Sequence, residues 1–321
     1  MAIRKSEFAL ALNQVATERG IPIEEVLESI KLAVKIAFKK EYPDYEIEEI
    51  DVSIDSDSGE AKVYQDGKDI TPPGFGRIAA QTAKQVIIQK IREAEKKAVV
   101  DYFDKQAGTV ISGRVIRSDG KNIYIDIGRA EAILPPAEQI RKEKYYPNTR
   151  LLFYLLSVEG EEGRYRILVS RQNKELIKEL FKREVPELSQ GAIEIKKIVR
   201  EAGERTKIAV SSKERGVDPV GSCVGQKGVR IQSVINSLGL DEKIDVIQWS
   251  DDPKTLIINA ISPSKNMEVD LKKRKKEADL WVDPEELSLI IGRDGQNIRL
   301  ASQLTGYSLN ALTKKEKTKK K

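Results

Sequence analysis

Apolar residues recur at helical spacing in the first third of the chain and mostly at strand spacing after it. FALALNQVATER is amphipathic and runs into Gly20, a residue suited to end a helix. Pro22, followed by Glu24 and Glu25, opens a second helix expected to reach about Lys40. YEIEEIDVSID and EAKVYQD alternate as strands do and flank the turn DSDSG. After the break TPPGFG, the run RIAAQTAKQVIIQKIREAEKKAVVDYF predicts one long helix. Its stripe of Ala80, Ala83, Ile87, Ile91, Ala94 and Ala98 should face a packing partner. The remaining surface, with Lys84, Gln89, Lys90, Arg92 and Glu95, is either solvated or a docking face.

From Gly108 the texture changes. GTVISGRVIRS, NIYIDIG, EAILPP, RLLFYLLSV and RYRILVS are five short strand-like runs, which fit a small closed barrel of the OB type over residues 108–173. On NIYIDIG the alternation sends Ile123, Ile125 and Ile127 inward and Tyr124 and Asp126 outward. Tyr124 beside Arg114, Arg117, Lys121 and Arg129 is the pairing a base-stacking, phosphate-neutralising face needs, although a surface tyrosine on a sheet is common without any ligand.

Beyond Asn173 the elements repeat. LIKELFKREVPEL is a helix, and AIEIKKIVREAG and RTKIAVSS are paired strands. VDPVGSCVGQKG leads into the helix IQSVINSLG, the strand KIDVIQWS and the helix DPKTLIINAI. From Pro263 the order returns: two strands about the basic turn Lys272–Lys273–Arg274–Lys275–Lys276, the helix EELSLII, the loop GRDG, the helix QNIRLASQLTG and the strand YSLNALT. The boundaries read as 174–261 for the first copy and 262–312 for the second, with a lysine-rich tail at 313–321.

Composition narrows the chemistry more than the fold. The chain holds 321 residues, enough for several cores, and no apolar run approaches the length of a membrane span. Histidine is absent and Cys223 is the sole cysteine, which removes histidine-assisted nucleophiles, histidine-ligated metals and disulfide frameworks. Cys223 reads as a small buried thiol, and no cofactor, metal or catalytic residue is expected. The net charge of +5 is uneven: residues 1–107 sum to −4, 108–312 to +4 and the tail to +5. Polyanionic partners are therefore expected at the rear of the molecule, and the tail is either a solvated end or an arm that attracts nucleic acid.

The repeated loops, VGQKG and IGRDG, carry the chemistry. They are neither a P-loop nor a dinucleotide fingerprint. Gly225 and Gly292 end one helix, while Gly228 and Gly295 precede the next, so a backbone can approach closely and the second helix aims its N–H groups at whatever lies above. This is the pattern of a KH module, which clamps about four nucleotides of a single strand. Lys227 within the first loop, beside Gln226, and Arg230 one turn on read as phosphate contacts; Arg293, Gln296 and Arg299 are their counterparts in the second. Ile231, Val234, Ile235 and Leu238 pack the first of these helices, whereas the second must lean on Leu300 and Leu304.

The order of parts resembles the bacterial NusA family of transcription termination/antitermination factors, most closely in RIAAQTAKQVIIQKIREAEK, DPVGSCVGQKGVRIQSV and GRDGQNIRLASQLTGYSLN. The resemblance implies an α+β multidomain protein: an α+β N-terminal domain, a five-stranded S1 (OB-fold) barrel and two tandem type II KH domains. It further implies docking on RNA polymerase core through residues 1–107 and nascent single-stranded RNA along the S1 and KH surfaces. Modulation of pausing, intrinsic termination and antitermination follows, with other Nus-type antitermination factors as partners. A cytoplasmic monomer without enzymatic activity is expected. Three features depart from the family pattern: a short AKVYQDGKDITPPGFG segment, Asp294 where asparagine is common, and a lysine tail in place of acidic repeats. The rival readings are an S1/KH protein of translation or RNA decay that acts without polymerase, and a carboxylate enzyme built on Asp55, Asp57 and Glu60.

Overall fold

The computed structural model describes residues 7–19, 22–160, 165–239, 241–262, 264 and 267–314. The expected helix stop at Gly20 and the lysine-rich segment beyond Lys314 lie outside the described residues. The chain divides after Lys105 into two compact units.

In the first unit, α1 (Glu7–Arg19) and α2 (Ile23–Glu41) precede a small antiparallel sheet of β1 (Ile50–Ile54), β2 (Ala61–Gln65) and β3 (Lys68–Asp69), and α3 (Phe75–Asp104) closes the unit. A four-residue spacing puts Val26, Ile30, Val34 and Phe38 on one face of α2, fully buried against Ile50, Val52, Ala61 and Val63 of the sheet and against α3. Phe38 and Phe75 meet edge to face at 5.3 Å between ring centres. That contact sets the rotation of α3, so its buried series is Phe75, Ala79, Ala83 and Ile87. The stripe read from Ala80 is off by one position at its start: Ala80 and Ala98 are exposed, and burial thins beyond Ile91 until Phe103. The Asp55, Asp57 and Glu60 group is a turn, in which the Asp55 carboxylate accepts the N–H groups of Asp57 and Ser58.

The second unit begins with a closed barrel in the order β4 (Val110–Ser118), β5 (Ile123–Asp126), β6 (Glu131–Leu134), β8 (Arg166–Ser170), β7 (Arg150–Glu159). Ile125, Ala132, Leu134, Phe153, Leu155 and Val169 fill it with no exposed surface. As expected, Ile123 and Ile125 point inward; Ile127, past the end of β5, is only half-buried.

The first copy of the repeat consists of α4 (Lys174–Glu184), the short α5 (Pro186–Ser189), β9 (Ile193–Glu201), β10 (Arg205–Ser212), α6 (Pro219–Val224), α7 (Val229–Leu238) and β11 (Lys243–Gln248). The second consists of α8 (Pro253–Ala260), β12 (Met267–Lys272), β13 (Glu277–Val282), α9 (Pro284–Ile291), α10 (Gln296–Thr305) and β14 (Ser308–Thr313). In each, an antiparallel hairpin leads to a central strand that takes a parallel partner on its other side. Helix α8, read from spacing as the end of the first copy, packs on both: its Ile257 and Ala260 share one core with Val199, Ala209 and Ile247 of the first copy and with Val269, Leu280, Leu300 and Leu304 of the second. Leu300 and Leu304 are buried as expected, with Ala301 beside them.

Charge holds the barrel to the first copy. Arg171, with no exposed surface, donates to Glu143 and to the carbonyls of Leu152 (2.7 Å) and Leu238 (2.6 Å). Arg200 makes two 2.8 Å bonds to Glu242 and two more to the carbonyls of Arg171 and Asn173. Each buried charge is thereby matched and hydrogen-bonded, the condition under which such a pair is tolerated in a protein interior.

Candidate nucleic-acid interface

Helix α6 starts at Asp218–Pro219: the Asp218 carboxylate accepts the Val220 N–H at 3.0 Å and Pro219 presets the first helical residue. The helix stops six residues later at Gly225, φ +76°. A Cβ there would lie 2.8 Å from Cγ and 3.0 Å from the backbone nitrogen of Arg230, so only glycine permits the reversal. Lys227 (φ 54°) and Gly228 (φ +78°) complete the turn and α7 follows at once. Gln226 and Lys227 are exposed over the start of α7, where N–H groups and the positive helix end face outward.

The second loop repeats this backbone. Gly292 has φ +74°, Asp294 52° and Gly295 +72°, and a Cβ on Gly292 would lie 2.7 Å from that of Asn297. The left-handed conformation at the third loop position suits asparagine and aspartate and penalises lysine. Asp294 is at ease there; Lys227 is held against its preference, the kind of strain that accumulates at functional sites.

Several residues read from spacing as phosphate contacts are engaged within the protein. Arg230 donates to both Glu187 oxygens at 3.0 Å and to the Ser222 carbonyl at 2.7 Å, bracing the loop from beneath. Asn297 holds the equivalent place in the second copy and donates to the Ile290 carbonyl at 3.1 Å. Arg299 forms a two-pronged bond with Glu201 (2.6 and 2.9 Å) and reaches the Asp294 carbonyl at 3.2 Å. Gln296 donates to Glu201 and Glu204, and Lys142 of the barrel also pairs with Glu204. Gln296 and Arg299 thus join the two copies. Their bonds hold the Glu201 carboxyl below the usual glutamate range, Arg299 contributing most.

The barrel face is also internally paired. Arg114 bonds Asp126 at 2.8 Å, and Arg117 bonds Glu131 at 3.0 Å while its guanidinium lies 3.5 Å over the Tyr124 ring. Tyr124 donates its hydroxyl to Asp119, whose carboxyl is held well below the usual range, chiefly by the N–H groups of Lys121 and Asn122. Lys121 and Arg129 remain at the exposed rim. The tyrosine is in place, but one of its faces is already stacked.

Sequence reasoning missed the cleft beside the first loop, lined by Asp218, Gly221, Ser222, Gly225, Gln226, Val229 and Arg230. Val229, 67 % exposed directly after the loop, offers an apolar surface on which a base can lie. The repeat gave no signal for it, because its counterpart Gln296 is polar. Cys223 is fully buried and its thiol is pushed up to about 12 by burial, so it is inert near neutral pH. Among the described residues no cluster could hold a metal ion, and no helix is long and apolar enough to cross a membrane.

Three family models match the chain: the NusA N-terminal domain over residues 7–71 and 67–97, the NusA-like first KH domain over 171–249 and the NusA-like second KH domain over 253–319. The transcription termination/antitermination protein NusA of Halalkalibacterium halodurans is 38% identical over 342 residues, spanning 97% of this chain and 89% of that protein. The NusA proteins of Thermus thermophilus and Bacillus subtilis are each 38% identical, over 345 and 335 residues, with 95% of this chain and 89% and 90% of theirs covered. The chain belongs to the NusA family. Its glycine loops are those of two tandem KH domains, and the closed barrel between the NusA head and these domains is the S1/OB-like module. The second NusA-like KH model begins at residue 253, where α8 starts.

Proposed function

We propose that this NusA-family chain is a transcription elongation factor that docks on RNA polymerase core through residues 1–107 and holds nascent single-stranded RNA along the barrel and the KH loops. By this means it modulates pausing, intrinsic termination and antitermination, the last with other Nus-type factors. The observation that carries the RNA part is the first loop: two glycines that let a backbone approach, a lysine retained in a strained conformation, and a helix start behind it. RNA phosphates supply the negative charge such a site accommodates, and the extended strand leaves bases free to lie on Val229. Family membership and the compact, acidic head support the polymerase part.

Immobilised full-length protein presented with cell extract tests the reading. Capture of RNA polymerase core, and of a single-stranded RNA in preference to its duplex, is the expected result. Retention of RNA with no polymerase would favour a factor of translation or RNA decay.

A further inference from the structure

Three helices of the second unit start at an Asp–Pro pair, and they differ in what the carboxylate holds. At Asp252–Pro253 a single oxygen, Oδ2, accepts the Thr255 N–H at 2.9 Å and the Thr255 hydroxyl at 2.7 Å. At Asp283–Pro284, Oδ2 accepts the Lys314 ammonium at 2.9 Å. At Asp218–Pro219, Oδ1 accepts the Val220 N–H at 3.0 Å, and Oδ2 has no hydrogen-bond partner among the described residues. The difference follows from the residue three positions beyond each aspartate. Thr255 returns a hydroxyl to its cap, Glu286 accepts the Ser264 hydroxyl at 2.6 Å, and Gly221 has no side chain to offer.

Glycine weakens a helix as short as the six residues of α6, so its presence at 221 needs a reason. Space supplies one: a Cβ on Gly221 would lie 2.4 Å from Oδ2 of Asp218. The unpartnered oxygen therefore stands over Gly221, on the wall of the open cleft that also holds Ser222, Gln226, Val229 and Arg230. At about 590 Å³ the cleft has room for a nucleobase. Arg230 is committed to Glu187 and the Ser222 carbonyl, which leaves the Asp218 oxygen as an acceptor beside the apolar surface of Val229. A carboxylate so near the loop repels phosphate and adds nothing to the hold on a strand's backbone. Toward a base it is selective, because it accepts hydrogen bonds and donates none. It accepts from the amino group of cytosine, where uracil presents a carbonyl oxygen.

We propose that Asp218 is a specificity-determining residue of the first loop: with a base lying on Val229, Oδ2 accepts from its exocyclic amino group, so that cytosine is taken in preference to uracil. The inference rests on the RNA reading above and names the base that the first site selects. The second copy lacks the device. Its helix α9 has eight residues against the six of α6, so Asp283 stands farther from its loop, and Lys314 neutralises it. Leu289, 50 % exposed, occupies the position of Ser222 there.

Titration of the full chain with oligocytidine and with oligouridine of equal length, at the same near-physiological salt, tests this. Oligocytidine should bind at least about fivefold more tightly. Asp218→Asn keeps an oxygen to cap Val220 and puts an amide N–H₂ where the unpartnered oxygen stood, so the preference should fall below about twofold or reverse. Gly221→Ala leaves the charge unchanged, favours the helix and displaces the carboxylate, and it should lower the preference in the same way. Equal binding of the two strands by the parent chain, or a preference that either variant leaves unchanged, overturns the inference while RNA binding stands. Failure of both strands to bind overturns the RNA reading and this inference with it.

Discussion

In the first KH copy Gln226 and Lys227 stand exposed above α7, and the loop is braced by an arginine that reaches Glu187, 43 residues back in the chain. In the second copy the same backbone carries Arg293 and Asp294, and the brace is a buried asparagine. Arg299 then ties that loop's Asp294 carbonyl to Glu201 of the first copy. Duplication preserved the glycines because the backbone path demands them, whereas the side chains diverged by position in the array. The first copy packs against the barrel on one side and the second copy on the other, so its ends are charged joints. A repeated fold therefore gives two loops of equal backbone geometry and different charge, Lys227 in one and Asp294 in the other.

The largest effect expected from breaking this comparison lies at the joint and not in the loops. Glu242→Ala leaves Arg200 buried and unpaired and should destabilise the second unit by about 3–5 kcal/mol, read as a lowered chemical-unfolding midpoint. The equivalent position in the second copy is half-buried Tyr307, where Tyr307→Ala should cost no more than about 2 kcal/mol. Equal losses would mean that the two copies are held in the same way. Burial by itself would raise the Glu242 carboxyl, but bonds from Arg200, Thr206 and the Gly203 N–H hold it below the ordinary glutamate range. A depressed folded-state value stabilises the protein above the unfolded value and is lost as pH falls. The thermal midpoint should therefore decline on acidification below about pH 4, and the decline should be shallower in Glu242→Gln.

The loops come next. Replacing Gln226 and Lys227 together with aspartate retains both glycines and turns one positive charge into two negative ones. Single-stranded RNA affinity should fall on the order of tenfold near physiological salt, with an unchanged circular dichroism spectrum. At the second loop, where residue 294 is already a carboxylate, the matching change is Arg293→Asp alone, and it should reduce affinity by only about threefold. Equal losses from the two loops would abolish the distinction between them. Arg299→Ala should have a smaller effect, about 0.5–1 kcal/mol on the stability of the second unit, because half of that side chain is solvent-exposed.

Much of this was legible in sequence because the deciding signals were local. Glycine pairs and alternating isoleucines act within a few residues, so the barrel strands and both loops followed from spacing. What spacing hid was the choice of long-range partner. Arg230 and Arg299 have the charge and helical phase of phosphate ligands, and only folding brings Glu187 and Glu201 against them. Likewise, Arg114 and Arg117 meet Asp126 and Glu131 across strands 12 and 14 residues apart in sequence. The rotation of α3 escaped by one residue because Phe75, set apart from the alanine stripe, decides it through its contact with Phe38. The apolar residues of α8 state that it is buried, but not that it packs on both sheets at once.

The smallest change is also the most specific. Asp294→Asn alters one oxygen to an amide nitrogen, and asparagine accepts the left-handed conformation at φ 52° as readily as aspartate does. The side chain is 89 % exposed, and its 3.6 Å approach to Arg293 is between two solvated groups, so the fold should be indifferent. Removing the carboxylate takes away repulsion toward a phosphate above the loop and releases Arg293 to face it. RNA affinity should rise about two- to threefold, with a steeper dependence on salt as one more cation engages phosphate. If titration shows no gain, the second loop does not touch the RNA backbone, and the asymmetry lies in the path of the strand rather than in the charge of Asp294.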